Sequence, residues 1–215
     1  MADTLTIGMD VARPYTAVCP TLDSEVLNVL AGTTWPLTGR EIARLVGRNS
    51  HSGVLDVLNR LAEHGVVERQ EAGRAFLYTL NRDHLATPAV EALAAMRSEL
   101  LSRLRREIES WKVTPSHVSL FGSMARGDGG TESDIDLFIV RPRSVVDEDP
   151  RWRSQVDHLA TSVFRWTGNR AGIAEVAEDE IPRLLRDEPP IVSELTSDAI
   201  VLAGPEIRAL MGTPR

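Results

Sequence analysis

Two short stretches hold the residues whose types and spacing could do chemistry. They are Leu120-Phe121-Gly122-Ser123-Met124-Ala125-Arg126-Gly127-Asp128 and Ser133-Asp134-Ile135-Asp136-Leu137. A strand expected over Val118 to Phe121 runs into Gly122-Ser123 and then into a short helix. Glycine lets backbone approach a ligand closely. The free N–H groups and positive end of a helix suit phosphate, and Ser123 adds a hydroxyl donor. Asp134 and Asp136 alternate on a second expected strand, Asp134 to Val140, so both carboxylates leave the same face. Adjacent like charges repel and call for a cation between them. Mg²⁺ suits carboxylates whose coordination is completed by substrate phosphates. A phosphate cradle beside such a pair is apparatus for phosphoryl or nucleotidyl transfer.

The elements that must position these residues follow from the hydrophobic period. After Pro115 the pattern is α/β. Trp152, Val156, Leu159, Val163 and Trp166 mark one face of a helix that Thr167-Gly168-Asn169 closes. Ala171 to Val176 reads as a strand, Asp179 to Arg186 and Pro189 to Leu195 as helices, and Ala199 to Leu202 as a last strand. Upstream, Thr87-Pro88 opens one long helix over 88–112, with Val90, Leu93, Met96, Leu100, Leu104, Ile108 and Trp111 as its stripe.

Residues 1–87 read differently. Tyr15 to Val18 suggests a short strand and Leu22 to Leu30 a helix. Thr38 is a candidate N-cap for a second helix ending at Gly47. A third carries Val54, Leu55, Val57, Leu58 and Leu61 on one face, and Gly65 stops it. Two strands, Val66 to Gln70 and Ala75 to Leu80, complete a hairpin. The chain divides accordingly into 1–87, a connecting helix 88–112, and 113–215.

Composition excludes several classes. At 42% hydrophobic and 26% charged, the 215 residues are ordinary globular material. The single cysteine, Cys19, rules out an internal disulfide framework. The five histidines have no zinc-ligand spacing. No apolar run approaches a membrane span, and the opening residues have no secretory pattern, so a cytoplasmic location is expected. A net charge of −7 argues against a general grip on nucleic acid. Residues 40–82 are the exception, with 7 arginines against 5 acids.

The Gly-Ser and Asp-x-Asp stretches resemble the signature of the DNA polymerase β nucleotidyltransferase superfamily, in particular its bacterial minimal nucleotidyltransferase branch, over about residues 100–210. The resemblance implies a small mixed sheet with helices and two Mg²⁺ ions holding a nucleoside triphosphate, with ATP the first to test. Asp134 and Asp136 would be metal ligands and catalytic. Gly122, Ser123 and Arg126 would contact the nucleotide. A third carboxylate on a later strand completes such sites, and Glu175, an isolated acid in the Ala171 to Val176 strand, is the candidate for metal binding and proton removal. Members of that branch are often encoded beside a toxin partner, which implies a protein hydroxyl as one acceptor.

Leu37 to Leu45, Val54 to Leu61 and Gly65 to Arg69 resemble winged helix-turn-helix regulators. That likeness implies DNA contacts from Arg40, Arg44, Arg48, Asn49, Ser52, Arg60, Arg69 and Arg74. The expected fold is an α+β nucleotidyltransferase preceded by an α+β winged helix. Two functions follow. One is transfer of a nucleoside monophosphate to an acceptor hydroxyl. The other is a DNA-binding regulator, or antitoxin-like protein, whose transferase-like domain senses nucleotide or holds a partner without turnover.

Overall fold

The computed structural model describes residues 8–47 and 51–210. The chain divides into two units, Arg13–Arg97 and Met1–Ala12 with Ser98–Arg215.

In the Arg13–Arg97 unit the expected strand over Tyr15 to Val18 is a 3-10 turn, Pro14–Ala17. Pro14 fixes its first turn, and the Thr16 hydroxyl donates to the Arg13 carbonyl at 2.7 Å. Helix α1 (Leu22–Ala31) leads to a two-residue strand β1 (Leu37–Thr38) and helix α2 (Gly39–Val46). Thr38 caps α2 as expected, in a reciprocal capping box: the Glu41 N–H donates to Thr38 Oγ1, and the Thr38 N–H donates to Glu41 Oε2 at 2.7 Å. Gly47, at φ 75°, ends α2 in the left-handed conformation. Helix α3 (His51–Glu63) precedes the hairpin of β2 (Val67–Ala72) and β3 (Ala75–Leu80), joined by Gly73-Arg74. Strand β1, which periodicity misses because it is so short, pairs antiparallel with β3 and gives the order β1-β3-β2. Val26, Leu30, Ile42, Val54, Leu58 and Tyr78 fill this unit's core.

The single helix expected over 88–112 is two, α4 (Thr87–Ala94) and α5 (Met96–Glu109). Val90 of α4 packs on the first core, whereas Leu100, Leu104 and Ile108 of α5 enter the second. The apolar spacing runs unbroken through Leu93 and Met96 with no Gly or Pro, so the break has no sequence signal. The division between units falls at 97/98, inside the segment expected as the connecting helix 88–112, and residues 8–12 belong with the C-terminal unit.

That unit adds β4 (His117–Leu120), α6 (Gly122–Arg126), β5 (Ile135–Arg141), α7 (Pro150–Thr167), β6 (Ala171–Ala177), α8 (Ile181–Asp187), α9 (Pro190–Ser197), β7 (Ile200–Ala203) and α10 (Ile207–Leu210). The sheet order is β6-β5-β4-β7. β5 and β6 are parallel, joined through the crossover helix α7, and the other pairs are antiparallel. Leu137, Ile139, Val118 and Leu120 face α5 and α7, where Trp111 meets Trp152 edge-on at 5.5 Å. Phe138 and Val140 face the opposite way, onto Ile181, Leu185, Leu195 and Ile207 of α8, α9 and α10. The chain is thus mixed α+β with two small sheets.

Candidate active site

Strand β4 delivers the chain to Phe121, whose N–H donates to the Asp136 carbonyl at 3.0 Å. That bond registers the Gly122-Ser123 turn against Asp136. Gly122 sits at φ 69°, a conformation open to glycine. A methyl group there would fall 2.4 Å from Asp136 Oδ2. Across the sheet, Gly172 is the direct partner of Asp136 in the β5–β6 register. A methyl on Gly172 would fall 2.6 Å from Asp136 Oδ1 and 3.8 Å from Asp134 Cβ. The Asp136 carboxylate therefore lies between two glycines with the Asp134 side chain beside it, on the face that carries α8 to α10.

Burial pushes the Asp136 carboxyl up from its ordinary value, and Asp134 and Glu194 of α9 push it the same way; Arg126 opposes them. Arg126 Nε donates to Asp128 Oδ2 at 3.3 Å, and its Nη1 lies 3.6 Å from Glu194 Oε2. The guanidinium is thus held by two carboxylates that a polyanion would compete with.

The loop carrying Asp134 is stitched from three sides. The Ser123 carbonyl accepts the N–H groups of Gly127 and Asp128 at 2.9 and 3.0 Å. The Gly130 N–H donates to Ser133 Oγ at 2.9 Å, and the Ser133 N–H returns to the Gly130 carbonyl at 3.1 Å. Asn169, 1% exposed, donates from Nδ2 to the carbonyls of Ser133 (2.9 Å) and Met9 (3.1 Å), while its Oδ1 accepts the Met9 N–H at 3.0 Å. The Ala12 N–H donates to the Gly129 carbonyl at 3.1 Å. Residues 9–12 therefore brace the loop that leads into Asp134.

Glu175 does not join the aspartates, which corrects the expectation for it. Its register partner is Ile139, which faces α5 and α7, the opposite side of the sheet from Asp136. Glu175 Oε1 accepts from Arg141 Nε and Trp152 Nε1, both at 2.9 Å. A lone acid in an apolar strand signals a polar partner; here the partners are the largely buried Arg141 and the Trp152 indole. On the Asp136 face β6 offers Gly172, Ala174 and Val176, and no acid.

Asp134 and Asp136 are hard oxygen donors that suit one divalent cation whose other positions go to substrate phosphates and water. Among the described residues no three His, Cys, Asp or Glu side chains are grouped to hold a metal. Among the described residues no third acid is therefore grouped with Asp134 and Asp136 for the expected pair of ions.

In the Arg13–Arg97 unit, Arg40, Arg44, Ser52, Arg60, Arg69 and Arg74 are all exposed. Arg40 and Arg74 line a groove of about 590 Å³ between the hairpin and the starts of α2 and α3. Arg60 is paired with Asp23. Arg69 donates to Asn59 Oδ1 at 3.2 Å and lies over the Phe76 ring at 4.7 Å. Arg48 and Asn49 lie outside the described residues.

Three site residues escape the sequence reading. Gly172 carried a signal, since an isolated glycine inside a strand marks a close approach. Asn169 reads as a helix stop and Glu194 falls within the expected helix Pro189 to Leu195; only the tertiary fold brings them near the aspartates and their loop.

No curated protein matches the chain. A solved structure described as the crystal structure of the toxin-antitoxin with AMP-PNP aligns with 52% of this chain and 80% of its own, at 16% identity and a TM-score of 0.35. That likeness is too slight to argue from. Residues 101–187, which carry the Gly-Ser turn and both aspartates, match the family model of the nucleotidyltransferase domain.

Proposed function

We propose that the C-terminal unit binds a nucleoside triphosphate with Mg²⁺ and transfers its nucleoside monophosphate to an acceptor hydroxyl. The observation that carries this reading is the Asp136 carboxylate fixed between Gly122 and Gly172 with Asp134 at its side. The two glycines leave room at the carboxylate, and burial with Asp134 and Glu194 nearby raises its affinity for a proton, a charge environment that a cation would relieve. Asp134 and Asp136 would hold the metal, which would supply neutralisation of phosphate charge. The Gly122-Ser123 turn offers N–H and hydroxyl donors to the phosphates. Arg126 leaves Asp128 and Glu194 for the triphosphate. The acceptor hydroxyl oxygen attacks the α-phosphorus and its proton passes to solvent water, the bond from the α-phosphorus to the bridging oxygen of the β-phosphate breaks, and pyrophosphate leaves with that bond's electron pair.

A second reading, nucleotide binding without turnover, draws on Gly172, Ala174 and Val176 standing where a proton-accepting third acid would be useful. Pyrophosphate release separates the two. Each of the four ribonucleoside triphosphates is incubated with Mg²⁺ and the protein, with and without candidate acceptors. Release that Asp134→Asn and Asp136→Asn each abolish supports transfer. Triphosphate binding that needs both aspartates but releases nothing supports the sensor. Binding indifferent to both substitutions refutes the site.

The Arg13–Arg97 unit we read as a winged helix-turn-helix that binds DNA. Three helices and a hairpin support this, as do Arg40, Arg69 and Arg74 around the hairpin. Arg69→Ala and Arg74→Ala should each flatten the log–log salt dependence of binding by about 1. An operator-shift assay showing salt-insensitive binding, or none, refutes it.

A further inference from the structure

The C-terminal sheet, in the order β6-β5-β4-β7, ends on β6 and β7. An edge strand leaves its backbone groups unpaired on one side, and proteins guard such edges with short strands, charges or covering side chains. β7 is four residues long, and its Val201 carbonyl accepts from Arg105 Nη2 at 3.3 Å. In the other sheet the edge strand β2 carries exposed Glu68, Arg69 and Glu71. β6 has none of these guards. It runs seven residues, Ala171 to Ala177, and each keeps part of its surface in water. Its one charge, Glu175, is turned aside to Arg141 and Trp152.

The ladder fixes the direction of the free groups. The Ile135 N–H donates to the Arg170 carbonyl at 2.8 Å, and Ile135 is the register partner of Ala171. In a parallel pair alternate residues turn both backbone groups to the same neighbour. Arg170, Gly172, Ala174 and Val176 therefore serve β5, and Ala171, Ile173, Glu175 and Ala177 point theirs away from it. Glu180 Oε2 takes the Ala177 N–H at 2.8 Å. Among the described residues the outward groups of Ala171, Ile173 and Glu175 have no backbone partner. Donors and acceptors alternating at a two-residue repeat of about 6.8 Å are matched by another extended polypeptide.

This edge borders the aspartates. Gly172 is the register partner of Asp136 and shares its face of the sheet. The nearest atoms that a methyl on Gly172 would meet belong to Asp136 and Asp134, whereas Ala174 and Val176 pack on the cluster of Ile181 and Leu185. A strand added outside β6 would lie two strand spacings, about 10 Å, from β5. Its residue opposite Gly172 would project on the aspartate side, across a position with no side chain in the way.

We propose that the outer edge of β6 binds an extended polypeptide as an added strand, and that a serine, threonine or tyrosine of that segment opposite Gly172 is the acceptor hydroxyl. The acceptor role rests on the transfer reading above; the strand addition does not. The side-chain oxygen bonds to the α-phosphorus, its proton passes to water, and pyrophosphate leaves with the electron pair of the broken bond. The product is a phosphodiester between the side chain and the nucleoside.

The test uses the full chain and a degenerate heptapeptide library with serine, threonine or tyrosine fixed at its centre. Main-chain bonds are common to every member, so the library binds as one ligand. A second library, N-methylated at every amide, keeps the hydroxyls and cannot pair as a strand. At about ten times its dissociation constant the first library should slow hydrogen exchange of the Ala171, Ile173 and Glu175 amides about tenfold; the methylated one should not. With Mg²⁺ and the ribonucleoside triphosphates, the first library should gain the mass of a nucleoside monophosphate on the central residue, and the methylated one should not. Ile173→Pro removes an outward donor without touching the β5 ladder and should cut protection and labelling about tenfold. Should Ile173→Pro fail to fold, the methylated library decides alone. No protection by millimolar library, equal labelling of both libraries, or amides already protected in a dimer that the library leaves intact overturns the proposal. Protection without labelling, while pyrophosphate is released on another acceptor, overturns the acceptor assignment. Protection with no pyrophosphate release from any triphosphate refutes the transfer reading alone and leaves the strand addition standing.

Discussion

Gly172→Ala separates the site from the fold more cleanly than substitution of an aspartate does. The added methyl would stand 2.6 Å from Asp136 Oδ1, where an ordinary contact begins at 3.4 Å. The carboxylate must therefore move by about 0.8 Å. Alanine in place of a strand glycine restricts the unfolded chain and gains roughly 0.5–1 kcal/mol. Turning Asp136 off its rotamer costs about 0.5–1.5 kcal/mol. The two nearly cancel, so the melting temperature should stay within about 3 °C of wild type. Function should not survive so well. A misplacement near 1 Å at reacting groups costs on the order of 10²-fold, and pyrophosphate release should fall by that order. Triphosphate binding in Mg²⁺ should weaken while binding without metal changes little. Gly122→Ala is the contrasting control. It adds a contact of 2.4 Å on the other carboxylate oxygen and a strained φ of 69°, so it should lose about 1–2 kcal/mol of stability as well. If Gly172→Ala keeps turnover and metal-dependent binding within threefold of wild type, the wedge between the two glycines does not set the Asp136 position, and the argument built on it fails.

Glu175→Gln should lower stability by about 1–3 kcal/mol in chemical denaturation, through the weakened bonds to Arg141 and Trp152, while turnover stays within a few-fold of wild type; a loss of 10² or more in turnover would return Glu175 to the site. Asn169→Ala removes a buried amide that holds Ser133 and Met9, and should cost about 2–3 kcal/mol and speed amide hydrogen exchange over residues 130–134; unchanged exchange there would show that the loop needs no brace. His117 has a folded affinity for protons below its ordinary value of 6.5 because it is buried. The unfolded chain therefore takes up a proton first as pH falls, and wild-type stability should decline below about pH 6.5, more steeply than in His117→Gln; equal slopes in the two proteins would contradict the buried neutral ring.

The approach of Gly122 to Asp136 was legible because the two lie close in sequence. Strand alternation alone puts two carboxylates on one face, and a Gly-Ser turn announces a close backbone approach. The helices of the first unit were legible for the same reason: Thr38 and Glu41 write their capping box three residues apart. Glu175 was misread because alternation within a strand says nothing of its phase against a neighbouring strand. One register step in the β5–β6 pairing decides whether an acid meets Asp136 or Trp152. The break at Ala95 was hidden because its two flanking helices bury into separate cores with the same spacing. Asn169 acts through contacts 160 residues away in sequence with Met9, a distance at which local patterns carry no information.

That last contact bears on how the protein is made. Met9 and Ala12 hydrogen-bond to Asn169 and Gly129, so Arg13–Arg97 is, in covalent terms, a domain inserted within another. A ribosome releases residues 9–12 first, yet their partners emerge only in the second half of synthesis. The inserted unit has its own core and is fully synthesised before its host is complete. The segment ahead of it then waits for the Asn169 amide before the Asp134 loop is braced. The Asp134 loop is therefore braced only after residues up to Asn169 have been made, so the proposed nucleotide site is completed late in the synthesis of each chain.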